Sequence, residues 1–383
     1  MLGAIFIGLS GMNAYSKGLQ TIGNNVANLN SAGFKATWTN FTDAFSFGGD
    51  GMSGSGVRYA QPRIDFQQGE LRQTTGDLDL AIQGNGFLAL LDGDKGSFAR
   101  TGQFFVDEEG FITLQGTEYH LCVLDESRQP VELNIGSKRT SEPVETTRIT
   151  FADHLTGTAT SVSNIAVYDT AGGKRVWKVD FAPVAATPGE WQVTITNENG
   201  DTVATSTLKF NGSVVDPTTS NLTVIDSTGT GAPLSVVLDF TDVKSFSGGT
   251  NVGIRAKSVD GNGLGTLTGA TIDADGQVKL TYSNGKTELV GSVALAEFRD
   301  PQMLDHAGNG LFENRAGAEY RMVSSGTDGM GKLVSRQIEA SNVDLSQQFG
   351  DLILIQRGFQ ASSQVVSVSN DMIQQLFGIR GQG

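Results

Sequence analysis

The chain has 383 residues, 50 of them Gly and 8 Pro, and a formal net charge of -14. That acidic balance argues against nucleic acid as a partner, because neutralising phosphates needs clustered Lys and Arg, and against docking on anionic lipid; the expected partners are proteins. Cys122 is the single cysteine, which excludes an internal disulfide, and no run reaches the roughly 18 apolar residues of a membrane span, so no membrane insertion is expected.

The first predicted element is a helix over about Leu2–Asn28. Ile5, Met12, Leu19 and Val26 recur every seven residues, with Tyr15, Ile22 and Leu29 three residues after the last three of them, a seam suited to helix-on-helix packing. Lys17 is the only charge from Met1 to Phe34, whereas a solvated amphipathic helix normally shows a charged face. Its propensity is poor, since Gly3, Gly8, Gly11, Gly18 and Gly23 each cost about 1 kcal/mol relative to Ala. Order therefore has to come from a partner, and a left-handed stop is expected at Gly33. The apolar start lacks a basic n-region and a small-residue cleavage pattern, so any export should proceed without a cleaved signal peptide.

Residues 36–73 read as an irregular or partly strand-like connector that docks by aromatics such as Phe41, Phe45 and Phe47. Then the period changes to two. Leu78, Leu80 and Ile82 alternate with polar residues, which places Asp77 and Asp79 on the solvent face of a strand, and Gly84-Asn85-Gly86 reads as a tight turn before Phe87. Alternation returns at Val176–Phe181, Trp191–Ile195 and Leu234–Phe240, while Asn199-Gly200, Asp275-Gly276 and Asn284-Gly285 signal hairpins with type I′ turns. The body is expected to be antiparallel β, with segments 74–145 and 268–340 closing one β-domain and 146–267 inserted as an outer sandwich or barrel. Trp177 and Trp191 are expected in its strand core.

The last element is a helix beginning at Asp344, whose carboxylate can cap the first turn, with Gln347 three residues on as in a capping box. Leu345, Leu352, Phe359, Val366 and Ile373 repeat at seven-residue spacing, and Phe349, Ile355, Leu376 and Phe377 widen the stripe; Asp351, Arg357 and Asp371 are the only charges from Leu345 to Ile379. Two such helices could form an ordinary intramolecular pair. The near absence of charge on their other faces favours packing among many copies, because buried Ser, Asn, Gln and Thr avoid the desolvation cost of a buried charge.

His120, His154 and His306 are isolated, so no metal site is expected. Asp92-Gly93-Asp94 and Asp260-Gly261-Asn262 start like calcium loops but carry Gln103 and Thr271 where a bidentate Glu is required. No phosphate cradle, nucleophile elbow or cofactor motif is complete, so neither a catalytic residue nor a cofactor is assigned.

The segments Leu9–Ala14, Ile22–Asn28 (with Asn24, Asn25 and Asn28) and Ser31–Lys35 (with Gly33 and Phe34) resemble the amino-terminal signature of bacterial flagellar rod and hook axial proteins. Leu78–Phe87, with Gly84, Gly86 and Phe87, Ser341–Leu345, with Asn342 and Asp344, and Gln356–Ala361 are similar to the same family. The large insertion makes the chain most similar to the hook members. The resemblance implies an α+β multidomain fold in which the terminal helices (1–35 and 341–383) form a coiled-coil-like inner domain. It implies a non-enzymatic structural subunit that self-assembles into a flexible tube, a universal joint joining rod to filament and transmitting torque. Implied partners are identical copies, rod and hook-filament junction proteins, the hook cap and the flagellar type III export apparatus, with a location in the flagellum outside the cell. Two competing readings are a distal rod or other axial component, separable by whether assemblies are straight or curved, and a secreted β-rich adhesin or binding module, which would be a monomer with an exposed aromatic patch.

Overall fold

The computed structural model describes residues 2–48, 51–228, 233–246, 253–314, 318–327 and 329–380. It is an α+β protein with one helix at each end and a β-rich middle, and it divides into two compact units: Met1–Gly136, Ala270–Lys279 and Leu289–Gly383 in the first, Ser137–Gly269 and Leu280–Glu288 in the second.

In the first unit, α1 (Leu2–Ala27) packs on α2 (Leu345–Arg380). Three of the glycines that weaken α1 on its own, Gly8, Gly11 and Gly18, are what lets the helices approach. Gly8, Gly11, Ala14, Gly18, Ile22 and Asn25 are its buried residues, and a Cβ on Gly8 would stand 2.7 Å from Cγ2 of Val366 and 3.0 Å from the Ser362 carbonyl. From α2, Gly358 takes the ring of Tyr15, where a Cβ would meet Cζ at 2.5 Å. The 36–73 segment is more regular than a connector: Phe41–Gly48 and Gly51–Tyr59 form a hairpin along α1. Its docking is aromatic and polar. Phe41 meets Tyr15 at 5.4 Å between ring centroids, and the Thr21 and Tyr59 hydroxyls are 2.7 Å apart. Phe45 and Phe47 lie outside the described side chains.

The strands of this unit form a sheet that runs from Leu304–Gly308 and Leu311–Asn314 through Lys95–Ala99, Phe87–Asp92, His120–Leu124, Ile112–Leu114, Thr101–Val106 and Asp79–Gln83 to Lys332–Ser335. The expected two-period fails at Asp79–Gln83. Leu80, Ala81 and Ile82 are all fully buried and Asp79 is 6% exposed, because this strand is covered on both faces. Asp79 accepts from Gln103 at 3.4 Å instead of facing water, whereas Asp77 is exposed and pairs with Arg336 at 2.6 Å.

The second unit holds a nine-stranded sheet, counted over described residues, folded on one apolar core. Here alternation holds. Trp191, Val193 and Ile195 point inward, as do Leu234, Val236, Leu238 and Phe240, and Trp177 is fully buried. One pairing departs from the antiparallel expectation, since Arg148–Leu155 runs parallel to Leu234–Ser245. Parallel neighbours need a long crossover, and the strands between them supply it.

The three expected type I′ hairpins also differ. Among their central residues only Gly200, Gly276 and Gly285 have positive φ. At Asp273–Gln277, Gly276 N donates to Asp273 O at 3.0 Å and Asp273 N to Gln277 O at 3.1 Å, a type I turn closed by a left-handed glycine. An L residue in the left-handed region costs roughly 1–2 kcal/mol, so the glycine takes the only such position. The Asp273 carboxylate then caps Asp275 N and Gln277 N at 3.0 and 2.9 Å.

Candidate functional site, the paired termini and their anchorage

The residues singled out at the two ends fall into three environments. On α1, Ile22 is buried, while Ile5, Met12, Tyr15, Leu19, Val26 and Leu29 flank the small-residue face and are half-buried. On α2, Leu352, Phe359, Val366 and Ile373 are half-buried beside the buried Gln348, Ile355 and Ser369. Leu345, Phe349 and Leu376 stay exposed, at 38, 49 and 51%, as do Ile353, Leu354, Val365, Val368, Met372 and Phe377, spread around the sides of α2. At the start of α1, Leu2, Phe6, Ile7 and Leu9 are exposed as well. Apolar side chains spread around a helix in this way exceed what its one partner covers.

The asparagines fix where the helices meet. Buried Asn25 donates from Nδ2 to Gln348 Oε1 at 3.0 Å and to Thr37 O at 2.9 Å, and its Oδ1 accepts from Thr37 N at 3.0 Å. Asn342 does the same across the junction, accepting from Ala36 N at 2.7 Å and donating to Asp65 O at 2.8 Å and Gln67 O at 3.0 Å. Asn28 donates to Asn24 O at 2.9 Å, closing the end of α1. Gly33, at φ 68°, donates to Glu339 O at 2.8 Å, and Phe34 stacks on His306 at 5.3 Å. Asp344 caps α2, accepting from Ser346 N at 2.8 Å and Gln347 N at 3.2 Å.

Beneath this junction lies a cluster that reasoning from sequence missed. Lys35 and Glu339 are fully buried and paired at 2.5 Å, and Arg100 meets the other Glu339 oxygen at 3.3 Å. Burial lowers the proton affinity of Lys35, opposed by the Glu339 carboxylate. Glu339 also accepts from Gly69 N at 2.8 Å, and Lys35 donates to Gln67 O at 2.6 Å. Arg100 donates to the carbonyls of Gly86 and, at 2.5 Å, of Gly84, and sits 5.7 Å over the ring of buried Phe87. The Gly84-Asn85-Gly86 turn, with φ 106° and 110° at its glycines, is thus the carbonyl cup of a buried guanidinium. The available signal was a charge inside an otherwise uncharged motif, Lys35.

The chain matches three family profiles: Flagella basal body rod protein over residues 5–35, Flagellar basal body protein FlaE D2 domain over 134–264, and Flagellar basal body rod FlgEFG protein C-terminal over 334–379. It is 30% identical to the flagellar hook protein FlgE of Escherichia coli strain K12, covering 97% of this chain and 98% of that one. It is 27% identical to FlgE of Treponema pallidum strain Nichols, over 99% and 100% of the two chains. A solved structure, Helicobacter pylori flagellar hook protein FlgE2, aligns with a TM-score of 0.48 at 12% identity, over 70% of this chain and 100% of that one.

Proposed function

Because the chain belongs to the flagellar hook protein FlgE family, we propose that its paired terminal helices are the surface through which copies polymerise. The protein is a structural subunit of the flagellar hook. The observation that supports this use of the helices is the set of large apolar side chains of α2, from Leu345 to Phe377, left exposed on a helix with almost no charge. Neighbouring copies would cover it, together with Leu2, Phe6, Ile7 and Leu9 of α1. In the polymer the termini would line an inner tube, the β-domain of 74–145 and 268–340 a middle shell and 146–267 the outer surface. Torque would pass along this tube from the rod to the filament, with rod proteins, junction proteins and the hook cap at its ends. Export through the flagellar type III apparatus, without cleavage, suits helices too weak to fold before they meet their partners.

The test is a chain lacking residues 1–30 and 344–383, examined by electron microscopy under conditions in which the full chain forms tubes. The shortened chain should remain monomeric. Tubes formed by it would overturn the proposal.

A further inference from the structure

Six Asn-Gly pairs occur in the chain, and the structure treats them unequally. In each, the glycine amide nitrogen, once deprotonated, can attack the asparagine side-chain carbonyl carbon. A carbon–nitrogen bond forms, the side-chain nitrogen leaves as ammonia, and a five-membered succinimide results. Water then opens either carbonyl, giving aspartate or isoaspartate. The reaction needs a side-chain amide free to rotate and a backbone N–H free to give up its proton, and hydrogen bonds at either group oppose it.

At Asn284 both are held. Its Nδ2 donates to Gly263 O at 2.8 Å, its Oδ1 accepts from Lys286 N at 3.0 Å, and Gly285 N donates to Tyr282 O at 2.9 Å. At Asn199 the side chain has no partner among the described residues, but Gly200 N donates to Asn197 O at 3.1 Å. At Asn309 neither the side-chain amide nor Gly310 N–H has a partner among the described residues, and Asn309 is exposed. Both residues are left-handed, with φ 50° and 74°, as the two-residue turn between Leu304–Gly308 and Leu311–Asn314 demands. Opening this exposed turn costs no hydrogen bond at the reacting groups.

We infer that Asn309 deamidates spontaneously faster than Asn199 and Asn284 in the folded protein, and that Asn284 is protected. The turn lies on the rim of a groove of about 490 Å³ lined also by Asn24, Asn28, Phe34 and His306. Conversion therefore places a carboxylate, and in the isoaspartate form an extra backbone methylene, beside the amino-terminal motif.

The experiment ages the full chain in warm, mildly alkaline buffer, folded and in concentrated urea, with peptide mass mapping and isoaspartyl methylation as readouts. In the folded chain the Asn309 peptide should convert at least about tenfold faster than the Asn284 peptide, roughly a decade per hydrogen bond of ordinary net strength, with Asn199 between them. In urea the three rates should converge. Asn309→Gln should remove the methylation signal from this turn, since the longer side chain must close a larger ring. Equal rates at Asn309 and Asn284 in the folded chain, or the same ranking in urea, would overturn the inference.

Discussion

Glu339 holds two buried cations, Lys35 and Arg100, and takes a backbone N–H from Gly69 as well. Breaking such a pair leaves an uncompensated charge, which costs about 3–5 kcal/mol. Glu339→Gln should therefore lose about that much in a urea melt of the first unit, and a loss under about 1 kcal/mol would mean the cluster is not held by charge. In the second unit Asp226 contributes to the pH dependence. Burial works against its ionisation, but the Thr228 hydroxyl and N–H, Trp177 Nε1 and Arg175 outweigh it and hold the carboxyl below the ordinary aspartate range. A depressed value adds stability that is present at neutral pH and fades as pH falls through the folded-state value. Asp226→Asn should cost about 1.5–3 kcal/mol at neutral pH, and its gap from the parent should narrow on acidification. A gap independent of pH would show that the lost contribution is shape alone. Neither residue stood out in the sequence, because the partners that bury them, Lys35 and Arg100 for Glu339 and Trp177 for Asp226, lie far away in the chain.

At the scale of elements, close approach governs the helix pair. Gly358→Val would drive a branched side chain into Tyr15, and overpacking of this kind costs about 1–3 kcal/mol. The expected outcome is a loss of helical signal at lower temperature than in the parent; an unchanged transition would mean that Tyr15 swings away freely. The helices themselves were legible in the sequence because a 3.6-residue period repeats over many turns, and Asp344 marked the start of α2 correctly. What periodicity could not reveal was that glycine, scored there as a weak helix former, makes the inner face of α1 together with Ala14. Asn25 and Asn342 stood out in the motif, yet their bonds to Gln348 and Ala36 cross more than three hundred residues of chain. The hairpins were legible in position, and their turn type was not. Asp273 and Asn197 cap the turns through side-chain bonds that the Gly dipeptides alone do not announce.

For the whole molecule, the alternating strands of the second unit were readable because one face is core and the other solvent, whereas Asp79–Gln83, buried on both faces, gave a misleading alternation. Composition bears on bending. The segment 146–267 is rich in Ser, Thr, Asn and Gly, and surfaces of that kind can slide past one another at low cost. Deleting 146–267 should change the curvature and bending stiffness of the polymer, measured from electron micrographs; unchanged stiffness would remove that segment from the mechanics of the joint.

The junction where Gly33 bonds to Glu339 and Ala36 to Asn342 means that the strands leaving α1 and entering α2 are riveted to each other before either reaches the sheet. A pull on one helix is thus divided between two chain segments loaded in shear. In a rotating shaft made of such subunits, drawing a molecule out by one end would first have to break these shared bonds.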